Sequence, residues 1–221
     1  MKFKQKIISS ILSLSLVASN LFISNAAQQQ LEAHFIDVGQ GDSIYIELPD
    51  GTDILVDAGL ASKGSNVVSY LKQQEKDIDI EYLIATHPDA DHVGGMKEVF
   101  TELNVKNFYY PEDAESYSVI WNTVSILAGL EGCNIVDAKS GTNLNLSGVN
   151  IKFVQPSKDY SDNNDDSLVI LVDYNNTEIL LTGDATSQTE KDMVNSNLIS
   201  DIDTWIVNLN QTNYLWITKQ M

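Results

Sequence analysis

Two stretches far apart in the chain carry the same layout. Asp42-Ser43 leads into an apolar run from Ile44 to Leu48, a turn at Pro49-Asp50-Gly51, and a second run from Thr52 that ends at Asp57. Asp166-Ser167 leads into Leu168 to Val172, a turn at Asn175-Asn176, and a run from Thr177 to Leu181 that ends at Asp184. Each reads as a β-hairpin, because Asp-Gly and Asn-Asn supply the positive φ angles that tight hairpin turns need. Helical periodicity surrounds both, over Asn66 to Gln74, Met96 to Leu103, Glu115 to Leu130 and Ser187 to Leu198. The last of these opens on Ser187-x-x-Glu190, the spacing of a capping box. Hairpins followed by helices in both halves read as a chain of α with β, an order that two mixed sheets face to face with helices outside would fit. No linker, low-complexity tract or Pro/Gly-rich hinge divides it, and 43% hydrophobic content is enough for one large core.

Between the hairpins, His87, Asp89, Asp91 and His92 fall within six positions, directly after an apolar run from Tyr82 to Ala85 that reads as a strand. Side chains alternate along a strand, so one that breaks into a tight loop can aim His87 and Asp89 the same way. Asp91 and His92 then sit on the turn that opens the next helix, whose core stripe is Met96, Val99, Phe100 and Leu103. Imidazole with carboxylate is the usual donor set for zinc, manganese or iron, and two of each exceed what one ion needs from one segment. A solvated acidic turn is the plainer reading. It loses because the chain has only three histidines and two of them stand here. Gly94 and Gly95 follow, which lets the backbone turn sharply where side chains converge. His34, on an alternating first strand, reads as structural.

Lys2, Lys4 and Lys6 precede an apolar stretch from Ile7 to Ile23, and Ser24-Asn25-Ala26 offers a small-x-Ala cleavage site. This is the layout of a secretory signal peptide over residues 1–26, with the remainder extracellular. Five serines and Asn20 dilute the stretch, so a lasting membrane span is not expected. The formal charge is −18 before the leader's three lysines are removed, and there is no arginine. Such a surface repels polyanions and lacks the guanidinium fork, which argues against tight non-specific binding of nucleic acid. Any phosphate would have to be held by metal ions and a few local lysines. Cys133 is the only cysteine, so no internal disulfide is available.

The segment His87-Pro88-Asp89-Ala90-Asp91-His92 resembles the His-x-His-x-Asp-His metal-binding pattern of the metallo-β-lactamase fold hydrolases, with Asp89 at the place of the second histidine. Together with Ile36 to Ser43, Leu55 to Gly59, Asn163 to Val172 and Leu180 to Ala185, it is similar to a narrower branch of that family. This branch holds the extracytoplasmic domain of the competence DNA-uptake channel protein (ComEC type) and secreted free-standing relatives. The resemblance runs over residues 31–207 and implies a four-layer αββα sandwich.

It also implies a dinuclear centre, with His87, Asp89, Asp91, His92 and Asp184 as ligands. Asp184 ends a buried apolar strand, where an uncompensated carboxylate would be costly; an ion or the N-terminus of the following helix could compensate it. Asp57, its counterpart in the first hairpin, is expected to support the His87 loop by hydrogen bonds. Asp42, Asp165 and Asp166 open the two hairpins and are candidates for metal or substrate binding. Carboxylate in place of imidazole moves preference from Zn2+ toward Mn2+ or Mg2+. The implied reaction is hydrolysis of a small-molecule or nucleic-acid phosphodiester such as extracellular DNA, with Asp91 holding the attacking water and taking its proton. An inactive binding module, or hydrolysis of a lactone or thioester, are the alternatives.

The family's His-His-Gly-Ser segment is missing after the expected strand Asp203 to Val207, where the chain reads Asn208-Leu209-Asn210. Residues 208–221 therefore read as an atypical tail without partner strands. A C-terminally truncated domain holding one ion rather than two is expected.

Overall fold

Alternation in the strands decides which side chains meet. In the computed structural model, which describes residues 30–74, 77–111, 118–200, 202, 204–206 and 217–218, twelve strands form two six-stranded sheets. The first runs in chain order: β1 (Glu32–Phe35), β2 (Ile44–Glu47), β3 (Asp53–Val56), β4 (Asp79–Ile84), β5 (Asn104–Pro111) and β6 (Asn134–Ala138). β1 to β3 are antiparallel neighbours, and β3 to β6 are parallel. The second sheet holds β7 (Asn143–Leu146), β8 (Val149–Phe153), β9 (Ile170–Tyr174), β10 (Thr177–Leu181), β11 (Thr204–Ile206) and β12 (Ile217–Thr218). There only the β10–β11 pair is parallel.

Ile44, Ile46, Ile54 and Val56 of the first sheet pack against Ile151, Phe153, Ile170 and Val172 of the second, and this is the central core. The intervening Tyr45 and Leu55 point the other way, into a second core. That core is built by α1 (Gly64–Gln74), α3 (Met96–Glu102) and α4 (Val119–Glu131) through Val67, Leu71, Met96, Val99, Trp121 and Val124. On the far side, Val169 and Leu180 meet Met193 of α5 (Ser187–Asn195). The layers are thus helix, sheet, sheet, helix, the αββα sandwich that the resemblance implied. Burying a side chain of this size contributes roughly 1.5–3 kcal/mol, so the inner faces dominate stability.

The two hairpins lie where the sequence placed them, β2–β3 and β9–β10, with positive φ at Gly51 and Asn175. Each is followed by a helix and then a parallel strand, so the units share a topology as well as a sequence layout. α4 starts after Ser118, whose hydroxyl accepts the Trp121 N–H at 3.0 Å, and stops at Gly132 in the left-handed conformation.

Several expectations shift. The capping box at Ser187 is not formed: Thr186 is the cap, its hydroxyl accepting the Gln188 N–H, which leaves Ser187 and Glu190 inside the helix. Gly94 and Gly95 keep right-handed helical angles. Close approach is their role, since a Cβ on Gly95 would stand 2.1 Å from the Ala58 carbonyl oxygen. The tail is not wholly without a partner, because Ile217–Thr218 pairs with Thr204–Trp205. Otherwise residues 208–216 and 219–221 of the expected tail, and the leader over residues 1–26, lie outside the described residues.

Candidate metal centre

Parallel strands deliver their C-terminal ends to one edge, and in open α/β sheets that edge is where sites form. Here β3 runs out at Val56 into Asp57, and β4 runs out at Ile84 into Thr86 and His87. The loop then turns into α2 (Ala90–Val93), which carries Asp91 and His92. From the second sheet, β10 ends at Leu181 and the chain reaches Asp184 through Gly183. Gly183 has φ +52°, and a Cβ there would press on the Thr86 side chain at 3.0 Å. Leu168 N–H also donates to the Thr86 carbonyl at 2.8 Å, so the two halves are tied together beside the site.

Asp57 organises the first half. It is fully buried, takes φ 56°, and accepts the Thr86 N–H at 2.9 Å and the Thr86 hydroxyl at 2.6 Å. Its Oδ2 also lies 2.9 Å from His92 Nδ1. A carboxylate only accepts, so His92 Nδ1 carries the proton and donates. The Thr86 hydroxyl has given its one proton to Asp57, so at 3.0 Å from His87 Nδ1 it can only accept. Both histidines therefore carry a proton on Nδ1, and their Nε2 atoms are directed into the site. Fixing a ring through its other nitrogen is how proteins orient metal-ligating histidines.

His87 Nε2 is buried and takes no hydrogen bond from any described residue. Burial, followed by the nearby His92 charge, lowers the His87 pKa and keeps a lone pair on that nitrogen. For His92, burial opposes protonation most, but the Asp57 charge and hydrogen bonds to Asp184 and Asp57 lift its pKa to about 11. Its Nε2 lies 3.2 Å from Asp184 Oδ1. A buried imidazole held between two carboxylates marks a place of strong negative potential. Ligand atoms of His87, His92 and Asp184 all lie within 4.8 Å of one another, and so do those of Asp42, Asp57 and His92. Two neutral-capable imidazoles and a carboxylate are a donor set that suits a divalent transition metal, and the residues fit such an ion.

The remaining expected ligands stand at the rim. Asp89 is half exposed, with Oδ2 3.9 Å from His87 Nε2, and it makes no side-chain capping bond although it sits at the N-cap of α2. Asp91 is held by Gln40, whose amide donates to Oδ2 at 3.0 Å. Neither belongs to the three-residue groups just described, because solvated carboxylates gain little by crowding together without a cation between them. Asp42 is buried beside Asp57. Asp165 Oδ1 accepts from the Thr186 N–H and from the hydroxyls of Thr186 and Thr189, which anchors the start of α5. Asp166 accepts the Tyr160 N–H. His34 pairs with the Tyr70 hydroxyl at 2.8 Å and lies tilted against the Tyr45 ring, outside both groups.

Sequence reasoning did not find the space next to the ions' expected position. A cavity of about 310 Å3 opens beside His87 and Pro88, with Lys139 and Lys158 in its wall. Its lining comes from loops scattered over the chain, so no local spacing could reveal it. Among the described residues, no helix is long and apolar enough to cross a membrane.

Comparison with known proteins agrees with this fold. ComE operon protein 3 of Bacillus subtilis is 25% identical over 201 residues, covering 82% of this chain and 26% of that protein. Recombination protein 2 of Haemophilus influenzae is 28% identical over 162 residues, covering 71% of this chain and 18% of that protein. The chain thus spans about a quarter or less of the curated relatives it matches. Among solved structures, the Cronobacter sakazakii metallo-beta-lactamase with the HARLDQ motif superposes with a TM-score of 0.56 at 14% identity, over 80% of this chain and 74% of the other. CmlA, a diiron beta-hydroxylase from Streptomyces venezuelae, gives 0.51 at 14% identity, over 80% and 34%. A lactamase and a hydroxylase on one fold show that the fold alone does not choose a reaction. The profile of the Metallo-beta-lactamase superfamily matches residues 36–213, and to that superfamily this chain belongs.

Proposed function

We propose that the protein is an exported, metal-dependent hydrolase of phosphodiesters, with Mn2+ or Zn2+ held by His87, His92 and Asp184 and shared with Asp89 at the rim. The observation that carries the reading is the grouping of His87, His92 and Asp184 beside a cavity whose wall sets Lys139 and Lys158 among Asp159, Asp165 and Asp166, in a chain that has no arginine. Local cations next to a metal-type cluster suit an anionic substrate that the rest of the surface repels. The names of the two curated relatives, one from a ComE operon and one a recombination protein, favour DNA or a related nucleotide as that substrate.

A divalent ion at this site supplies Lewis-acid activation of water and offsets charge on the scissile group. The chain's own residues do the rest. Asp57 and Thr86 hold the imidazoles in one orientation. Asp91, partly buried and held by the Gln40 amide, is the residue to which we assign acceptance of a proton from an attacking water. Lys158, braced by Asp192 at 2.7 Å and by the Tyr160 ring, offers a fixed positive charge across the cavity.

The test is cleavage of bis(p-nitrophenyl) phosphate and of single-stranded DNA with added Mn2+, with chelator, and with Asp91→Ala. Metal-dependent turnover that falls by about 100-fold or more in Asp91→Ala is expected for loss of a general base. Turnover of lactones or thioesters with none of phosphodiesters would overturn the substrate, and no turnover of any ester in the metal-loaded chain would leave a binding module.

A further inference from the structure

We infer that the cavity beside His87 is a nucleoside subsite, which holds the base and sugar next to the scissile phosphate; this rests on the phosphodiesterase reading. Its volume of about 310 Å3 stands at the lower end of the range for small-molecule sites, and suits one nucleotide unit rather than a length of strand.

The wall has the composition such a unit needs. The chain has four prolines, and three of them, Pro88, Pro111 and Pro156, line this one cavity. Proline rings are rigid and apolar and have no backbone N–H to solvate, so they present flat dry surfaces to a heterocycle. They arrive from three places: the His87 loop, the C-terminal end of β5, and the segment after β8. Gln155 and Asn163 add amide groups to the wall. Gln155 Oε1 is buried and takes no hydrogen bond from any described residue, so that amide gives up no such bond if its side chain turns toward a base edge.

Charge sets the limit on ligand size. Lys139 and Lys158 face Asp159, Asp165 and Asp166 around the same space. Asp165 and Asp166 are engaged by Thr186, Thr189 and the Tyr160 N–H. A wall of mixed sign does not attract a run of phosphates. It accommodates a largely neutral nucleoside whose single phosphate reaches the lysines and the metal cluster at His87. Gln155 and Asn163 are therefore specificity-determining residues for the base, and Lys139 and Lys158 for the phosphate.

The experiment is calorimetric titration of the Mn2+-loaded protein with adenosine 5′-monophosphate, ribose 5-phosphate and inorganic phosphate. Adenosine 5′-monophosphate is expected to bind about tenfold more tightly than ribose 5-phosphate, the factor that one good polar or stacking contact provides. Gln155→Met, close in shape and so compatible with the fold, should remove most of that advantage and leave ribose 5-phosphate unchanged; Asn163→Ala, on an exposed turn, should reduce it. Lys158→Met should weaken both phosphates alike. Equal affinities for the two sugar phosphates, an advantage that survives in both amide variants, or no saturable binding would overturn the subsite. If any of these is found while bis(p-nitrophenyl) phosphate is still hydrolysed, the phosphodiesterase reading stands and only the subsite falls. A base-dependent affinity without hydrolysis would do the reverse.

Discussion

Asp57 and Asp184 follow equivalent hairpins in the two halves of the chain, yet their surroundings differ sharply. Asp57 is fully buried and engages two hydrogen-bond donors of Thr86 and one of His92. Asp184 keeps 12% of its side chain exposed, and faces His92 across the junction of the sheets. The same contrast extends outward. Around Asp57 the first half packs both histidines and Asp42 into the interior, whereas the second half contributes most of the cavity wall and anchors its acids, Asp165 and Asp166, to the loops around it. One half of a duplicated plan fixes the ligands and the other shapes the space for a substrate. The layout is shared because the topology repeats; the chemistry diverges because only one loop carries histidines.

This contrast is most exposed to test at Asp57. Asp57→Ala leaves the Thr86 hydroxyl, the Thr86 N–H and a cationic His92 without their buried acceptor, and should destabilise the fold by about 3–5 kcal/mol. Asp165→Ala, in the second half, removes hydrogen bonds at a partly exposed helix start and should cost about 1–2 kcal/mol. Urea denaturation of both variants compares them, and equal losses would erase the distinction between the halves.

Metal affinity should divide the other way. Asp184→Ala is expected to lower Mn2+ or Zn2+ affinity by at least about 100-fold with little change in melting temperature, and Asp57→Asn by about 10–100-fold together with a lower melting temperature. Competition with a chelating dye measures the first quantity and a thermal scan the second. A normal affinity in Asp184→Ala would remove the second half from the centre.

An effect of pH comes from Asp53 on β3. Burial, and then its hydrogen bond with Glu81, raise its pKa from 3.8 to about 8. Between those values the folded chain holds a proton that the unfolded chain releases, so raising the pH through this window favours unfolding. Metal-free protein should therefore lose stability from about pH 4 to pH 8 at this position, and Asp53→Asn should flatten the curve. A curve unchanged in Asp53→Asn would show that the Asp53–Glu81 pair does not set it. The smallest change belongs to Thr186→Ala, where loss of the α5 cap should cost about 1 kcal/mol in denaturant midpoint experiments.

Much of this arrangement was legible before any coordinates. Hairpins announce themselves through turn residues and alternation, and the repeated layout gave both sheets their centres. His87 and His92 were visible because spacing in one loop is a local property. What spacing could not give was direction: Asp89, at the N-cap of α2, stays half exposed, and Asp91 on α2 is held by the amide of Gln40, distant in sequence. Thr186 took the cap from Ser187 because Asp165, distant in sequence, binds its hydroxyl and N–H. The cavity was invisible for the same reason, being assembled from residues between His87 and Asp166 that only the two-sheet packing brings together.

The central claim is that the two halves close on one divalent ion through His87, His92 and Asp184. Anomalous diffraction from crystals grown with Mn2+ tests it directly. The account predicts an anomalous peak within coordination distance of His87 Nε2, His92 Nε2 and an Asp184 oxygen, with the Nδ1 contacts to Thr86 and Asp57 retained. A peak bound only to Asp89 and Asp91, or none near the histidines at saturating Mn2+, would contradict it.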